Sequence, residues 1–254
     1  MKWHKSRKTL LQSDSSQKFS GIQELLDAEQ GLVGYNHDVV RKLASGFGIS
    51  RNKRVKADVI DFGAGTGSLA EVWQNDYQID PVCIEIDPKL RSILKSKGFR
   101  YHPSIKSVPP NISFLYTSNV LEHIEDDIQA LMNIRKRMKQ GGKIGIYVPA
   151  LPLLFSDHDR NVGHFRRYRK IELVHKVKKA GFEIEKCFYN DSVGILASLA
   201  VLLFGYKNNI GLGSKKSRFV YDKYVYPVSK FLDVILFKYV IGKNLFLFAV
   251  NPKK

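Results

Sequence analysis

Short apolar runs that end in glycine or acid alternate along this chain with stretches whose apolar residues recur every three or four positions. Val59-Ile60 runs into Gly63, Gly65 and Gly67, and Val82-Cys83-Ile84 runs into Glu85-Ile86-Asp87. Phe114-Leu115-Tyr116, Ile144–Pro149, Phe182–Phe188 and Asn244–Val250 are further strand candidates. Between them the period lengthens. Gly21 to Gly46 predicts one or two helices through Leu25, Leu26, Leu32, Val33, Val39, Val40 and Leu43, covering the mouth of a site and bringing Tyr35-Asn36 near it. A crossover helix begins over Gly67–Trp73. Lys89–Gly98 is the next, entered through Asp87-Pro88 and capped by Gly98. Leu121, Ile124, Ile128, Leu131, Ile134 and Met138 form one buried helical stripe, with acids at its start, basic residues from Arg135 to Lys139 at its end, and Gly141-Gly142 as the stop. Lys170–Ala180 is a basic helix stopped by Gly181. Strand and helix in alternation mean a parallel sheet covered on both faces, with ligands bound beyond the carboxyl ends of its strands.

One segment breaks the rhythm. About fifty residues, 192–243, separate the sixth and seventh predicted strands, where a hairpin would suffice. Ser192–Tyr206 carries no charge. As a helix it would be roughly 22 Å long, short of a hydrocarbon core of roughly 30 Å. It suits the membrane interface better than a span. Lys207, Lys215, Lys216 and Arg218 follow, then aromatic and aliphatic residues from Tyr221 to Tyr239 interleaved with Lys223, Lys230 and Lys238, a mixture that suits headgroups. The alternatives are a soluble lid and a dimer seam. The resulting division is a loose basic segment 1–20, a core 21–191, the insertion 192–243, and a last strand and tail 244–254.

The chemistry starts at the first turn. Glycines let the chain reverse and let a ligand lie against bare backbone. An acid at the tip of the next strand, Glu85, is placed to take the two hydroxyls of a ribose. The spacing departs from the dinucleotide fingerprint, whose third glycine falls here at Ser68. Asp61, just ahead of the turn, would repel a pyrophosphate. No Gly-Lys-Ser/Thr follows, which excludes a P-loop. An acid at that point suits a cationic ligand without phosphate, and S-adenosyl-L-methionine fits.

Three segments then carry a resemblance. Asp61-Phe62-Gly63-Ala64-Gly65-Thr66-Gly67, Ile84-Glu85-Ile86-Asp87, and Thr117-Ser118-Asn119-Val120-Leu121-Glu122-His123-Ile124 stand in the order and spacing of the class I S-adenosylmethionine-dependent methyltransferases, over roughly residues 30–190. The resemblance implies an α/β, Rossmann-like seven-stranded sheet with helices on both faces, an antiparallel last strand, and here a helical insertion between strands six and seven. It implies cofactor contacts from Asp61, Gly63, Ala64, Gly65, Gly67, Glu85, Ile86 and Asn119. The acid that many members carry after the third strand is replaced by Tyr101-His102-Pro103-Ser104-Ile105, so Ser104 and the backbone of Ile105 are expected at the adenine instead.

Acceptor chemistry is expected after the fifth strand, in Phe155–Arg160 and Gly163–Tyr168. Methyl transfer needs alignment, and a base when the nucleophile is a hydroxyl. His158 and His164 are both candidates for that base, with Asp159 or Asp157 orienting it or acting directly. Arg166, Arg167 and Tyr168 are candidates for gripping an anionic acceptor. His123 reads as structural. Gly163–Tyr168 with the apolar insertion is similar to a subgroup of these enzymes common in bacterial surface-polysaccharide contexts.

Composition adds a partner class. The formal net charge is +17, which points to a polyanionic neighbour: nucleic acid, an anionic membrane, or a phosphorylated substrate. Cys83 and Cys187 read as buried hydrophobes, so neither a disulfide framework nor a zinc site is expected, and no metal is assigned. The basic N-terminus lacks the apolar stretch of a secretory signal, which makes a cytoplasmic setting the expectation. The reading reached is methyl transfer to oxygen or nitrogen of an anionic, lipid-linked or sugar-containing acceptor, with peripheral contact at the inner membrane face. An RNA methyltransferase is the rival, weakened because Thr117-Ser118-Asn119-Val120 is no base-holding Asn-Pro-Pro-Tyr motif; a soluble small-molecule enzyme is another. A non-catalytic cofactor-binding subunit is a third, opposed by the intact Asp61, glycines and Glu85.

Overall fold

The structure is a computed structural model that describes residues 31–51, 58–204 and 215–253. Residues 1–20, the first part of the helical pattern before Gly31, Lys53, Arg54, Lys56 and Lys207 lie outside the described residues.

Helix α1 (Val33–Phe47) precedes the sheet, and then strand and helix alternate. The order is β1 (Val59–Phe62), α2 (Ser68–Tyr77), β2 (Val82–Ile84), α3 (Pro88–Ser96), β3 (Tyr101–His102), β4 (Ile112–Ser118), α4 (Asp127–Arg137) and β5 (Met138–Pro149). There follow α5 (Asp157–Asn161), α6 (Lys170–Lys179), β6 (Glu183–Asn190), the insertion, and β7 (Asn244–Val250). The strands lie in the order β3-β2-β1-β4-β5-β7-β6. All neighbours are parallel except β7, which runs antiparallel to both β5 and β6. The order reverses between β1 and β4, and the crevice above that reversal is where such sheets bind ligands.

Side chains alternate across each strand and so feed two cores. Ile60, Leu115, Ile144 and Leu247 pack with Leu131 and Ile134 of α4 and Leu173 and Val177 of α6. Val59, Tyr116, Tyr147 and Phe248 face the other way, onto Val39, Leu43 and Phe47 of α1 and Trp73 of α2. The second contact is very close: a Cβ on Gly46 would stand 1.9 Å from the Phe248 ring. Any larger residue at position 46 would push α1 off the sheet.

The stripe predicted as one helix from Leu121 to Met138 is divided. Leu121–His123 is a single 3-10 turn, Ile124 is extended, and α4 starts only after Asp126, whose side chain accepts from the Gln129 amide at 2.9 Å. A buried salt-bridged acid, Asp127, takes a place the apolar pattern did not assign. At the other end Met138 is already in β5, paired with Ile112, with a register shift before Phe114. The glycines Gly141 and Gly142 lie inside this strand rather than between helix and strand.

Within the insertion, α7 (Gly194–Phe204) is the uncharged helix. Residues 215–237 are continuously helical, as α8 (Lys215–Val220), a π turn (Tyr221–Val225), α9 (Tyr226–Leu232) and a second π turn (Asp233–Phe237). Its inward face is polar. Asp222 accepts from the Gly34 and Tyr35 amides at 2.8 and 2.7 Å, and the Tyr226 hydroxyl donates to Asp38 at 2.6 Å. Asp233 accepts from the Asp191 and Ser192 amides at 2.7 and 3.0 Å, and Asp191 receives the Tyr221 and Ser229 hydroxyls. Large apolar side chains of the insertion stand outside, with Leu196, Leu203, Phe231, Val234, Ile235 and Val240 exposed beside Lys223. None of the described helices is long and apolar enough to cross a membrane.

Candidate active site

The turn after β1 is left-handed at three glycines: φ is 80° at Gly63, 57° at Gly65 and 83° at Gly67. At Gly63 a Cβ would also lie 2.3 Å from Val120, in the turn after β4, so this glycine holds the two sides of the crevice together. The Gly63 and Ala64 amides donate to the Ile84 carbonyl at 2.8 and 3.0 Å, which fastens the turn to the end of β2. There Glu85 is 7% exposed. Its Oε2 accepts from the Gly65 amide at 2.8 Å and its Oε1 from the Asp87 amide at 2.9 Å. Burial raises the Glu85 pKa, and these amides offset part of the rise. Asp61 is buried beneath the turn, and desolvation lifts its pKa to about 7 against the lowering influence of the Tyr116 hydroxyl. Ile86 is 83% exposed, a bare apolar side chain at the rim. Ser104 is exposed and Ile105 buried at the start of a 3-10 turn, Ile105–Ser107. Asn119 is exposed, left-handed at φ 53°, and its amide donates to the Tyr147 carbonyl at 2.8 Å.

The segment after β5 folds into a tight polar knot. Ser156 caps α5, its amide and hydroxyl both donating to Asp159 Oδ2 at 2.9 and 3.1 Å. Asp159 is wholly buried, and its Oδ1 takes His164 Nδ1 and Arg167 Nε, each at 2.8 Å. Hydrogen bonds from His164 and Arg167 hold its carboxyl well below the usual range, outweighing the effect of burial. The Phe165 amide donates to the Glu122 carbonyl at 2.8 Å, which ties this segment to the turn after β4. His164 and His123 then meet edge to face, with ring centres 4.5 Å apart. His164 Nε2 lies 3.9 Å from Glu122 Oε1. Burial and the neighbouring His164 push the His123 pKa down to about 4. Glu122 has no exposed surface, its carboxylate oxygens make no hydrogen bond, and burial pushes its pKa up to about 8.

This arrangement separates the sequence candidates. Asp159 bonds to Ser156, His164 and Arg167, so the histidine it orients is His164; His158 sits half-buried on α5. Arg167 is enclosed and committed to Asp159. Arg166 and Tyr168, expected at the acceptor, have partners within the protein. Arg166 donates to the carbonyls of Ile124 and Glu125, both at 2.7 Å, and to Asp127 at 2.9 Å. Tyr168 is fully buried, and its hydroxyl donates to the same Asp127 at 2.8 Å. Lys176 completes the Asp127 cluster at 2.7 Å. These residues anchor the loop. Glu122 and His123 both stand in the third motif, where the local pattern gives Glu122 no role and reads His123 as structural. The signal it lacked was His164, 41 positions further on, which only the fold brings beside them.

A seven-stranded sheet of this order, with a glycine turn after β1 and an acid after β2, defines the S-adenosylmethionine-dependent methyltransferase architecture. The family model described as "Methyltransferase domain" matches residues 35–186, and the chain belongs to that family. No curated protein is a significant sequence match. Solved structures share the fold at low identity. A SAM-dependent methyltransferase from Archaeoglobus fulgidus is 18% identical, with a TM-score of 0.55 over 85% of this chain and 94% of that one. A SAM-dependent methyltransferase from Thermotoga maritima is 14% identical, with a TM-score of 0.56 over 91% of this chain and 97% of that one. Phosphoethanolamine N-methyltransferase 2 of Haemonchus contortus, in complex with S-adenosyl-L-methionine, is 16% identical, with a TM-score of 0.54 over 85% of this chain and 53% of that one.

The protein is therefore an S-adenosylmethionine-dependent methyltransferase. The residues present fit the cofactor. A buried acid near neutrality, Asp61, suits a cationic ligand, and Glu85 offers remaining lone pairs to ribose hydroxyls. The exposed Ile86 offers an apolar surface for a flat base. When bound, the cofactor supplies an activated methyl group; the chain supplies the cradle, and Asp159 holds His164 in one orientation.

Proposed function

We propose that this methyltransferase modifies an oxygen or nitrogen atom of an anionic, lipid-linked or sugar-containing acceptor at the inner face of the cell membrane, where it docks peripherally through residues 192–243. The observation that carries the reading is the inversion of the insertion. Its polar side chains point inward to Asp38, Asp191 and the amides of α1, while Leu203 (73% exposed) and Val234 (80% exposed) stand outside with Phe231, Ile235 and Val240. A lid folded for water alone would place these the other way round. Lys223 and Lys230 lie over aromatic rings of the same segment, which suits anionic headgroups. The net charge of +17 acts in the same direction.

His164, oriented by Asp159, is the candidate base for a hydroxyl acceptor. Incubating the protein and methyl-labelled cofactor with membranes and soluble extract of its own cell, then partitioning the label, tests the acceptor. Label in the organic phase supports the reading. Label confined to the aqueous or RNA fraction returns residues 192–243 to the role of a lid. Docking is read separately by flotation with anionic liposomes at low salt, which should be lost in a Leu203→Asp, Val234→Asp variant that still binds the cofactor.

A further inference from the structure

We propose that Glu122, His123 and His164 form a binding site for one divalent transition-metal ion at the acceptor side of the crevice. One ligand atom from each side chain lies within 4.8 Å of the other two. Metal–ligand bonds of about 2.0–2.2 Å separate neighbouring ligand atoms by roughly 3–3.5 Å, so an ion would draw these groups inward by about an ångström. His164 Nε2 and Glu122 Oε1, 3.9 Å apart, are nearly there.

Three further observations point to a cation. The Glu122 carboxylate has no exposed surface, and neither of its oxygens has a hydrogen-bond partner. A buried carboxylate in that condition is costly unless something positive meets it. The charge of Arg167 acts on it through space, but Arg167 donates no hydrogen bond to it, and its Nε is committed to Asp159 at 2.8 Å. Second, Asp159 holds Nδ1 of His164, which leaves Nε2 facing the cluster; with an ion bound, Nε2 serves as its ligand in place of the base role proposed above. A carboxylate behind a histidine is the arrangement that fixes the tautomer and direction of metal-binding imidazoles. Third, the ligand set is two imidazoles and one carboxylate, which suits zinc, iron, cobalt or nickel rather than magnesium or calcium. Three protein ligands leave coordination positions open. Glu122 and His123 lie on the same turn as Val120, which packs on Gly63, so an ion there would stand beside the crevice and could hold an oxygen. The bland alternative is a protonated Glu122 that merely fills space.

The test uses tag-free protein stripped by a chelator and needs neither cofactor nor acceptor. Calorimetric titration with Zn²⁺ and with Mg²⁺, and visible absorption with Co²⁺, should show one Zn²⁺ or Co²⁺ per chain and a strong preference over Mg²⁺. Glu122→Gln, close in shape, should weaken Zn²⁺ binding more than tenfold. Asp159→Asn should weaken it by about 10–100-fold through the orientation of His164. His37→Ala, at an outlying histidine paired with Asp76, should leave it unchanged. Circular dichroism establishes that each variant is folded. Wild-type protein that gives no Co²⁺ absorption bands, or that binds Zn²⁺ no more tightly than Glu122→Gln, overturns the proposal.

Discussion

The amide of Gly65 donates to the carboxylate of Glu85 at 2.8 Å, so the glycine turn and the acid that follows the next strand hold each other in place. Glu85 thus supports the turn, and it is the residue proposed to receive the ribose. Glu85→Ala should weaken cofactor binding by about 2–4 kcal/mol, the value of a pair of charge-assisted hydrogen bonds. Calorimetry with S-adenosylmethionine reads this directly, and unchanged affinity would remove the ribose assignment.

His164 and Asp159 act as one unit. His164→Ala should lower turnover more than it lowers cofactor affinity, by the roughly 10²–10⁴-fold typical of a lost acid or base when the acceptor is a hydroxyl. Asp159→Asn should move in the same direction, because an amide cannot hold His164 and Arg167 as the carboxylate does. Wild-type turnover in His164→Ala would transfer the role to another group.

Asp61 makes the cofactor-free protein sensitive to pH. Its pKa rises from an ordinary 3.8 to about 7 on burial. Between those values the folded chain holds a proton that the unfolded chain has released. The contribution of Asp61 to stability should therefore be fully present below the lower value, fall as pH rises through the window, and level off above about 7. Asp61→Asn cannot lose that proton. Urea unfolding at pH 5 and pH 8 should show the wild type losing up to a few kcal/mol more than the variant over this interval. Parallel pH profiles for the two proteins would show that Asp61 does not titrate in this range.

Tyr168 should matter to stability and not to acceptor recognition. Its hydroxyl is one of three groups gathered on the buried Asp127, with Arg166 and Lys176. Tyr168→Phe removes one hydrogen bond and should cost about 1–2 kcal/mol in urea unfolding. The KM for the acceptor should stay constant; a raised KM at unchanged stability would restore the binding role.

Much of the molecule is determined locally and was therefore legible in the sequence. Gly63, Gly65 and Gly67 declare a left-handed turn because few other residues tolerate it. Asp87-Pro88 declares a helix start, and Asp87 does cap it, accepting from Lys89 at 2.7 Å. The uncharged stretch after Ser192 declares a helix that needs an unusual neighbour. The strand periods and the crossover pattern predict a covered parallel sheet and the bounds Asn244–Val250 of its last strand, while the antiparallel direction of that strand came only with the resemblance.

Partnership over long separations was not legible, because periodicity says that a residue is buried or exposed without saying what it meets. Arg166 reads as a phosphate grip until Asp127, 39 positions earlier, is found beneath it. Met138 continues a helical stripe by spacing, yet pairing with Ile112 draws it into β5. Tyr226 reads as a headgroup aromatic, yet its hydroxyl turns inward to Asp38, 188 positions away. Glu122 and His123 read as the end of a motif until the loop after β5 lays His164 against them. The sequence by itself determined the fold and the cofactor, because short-range backbone chemistry writes both. Only the tertiary structure decided which polar side chains serve the framework and which face the crevice, because a buried charge takes its meaning from its neighbours.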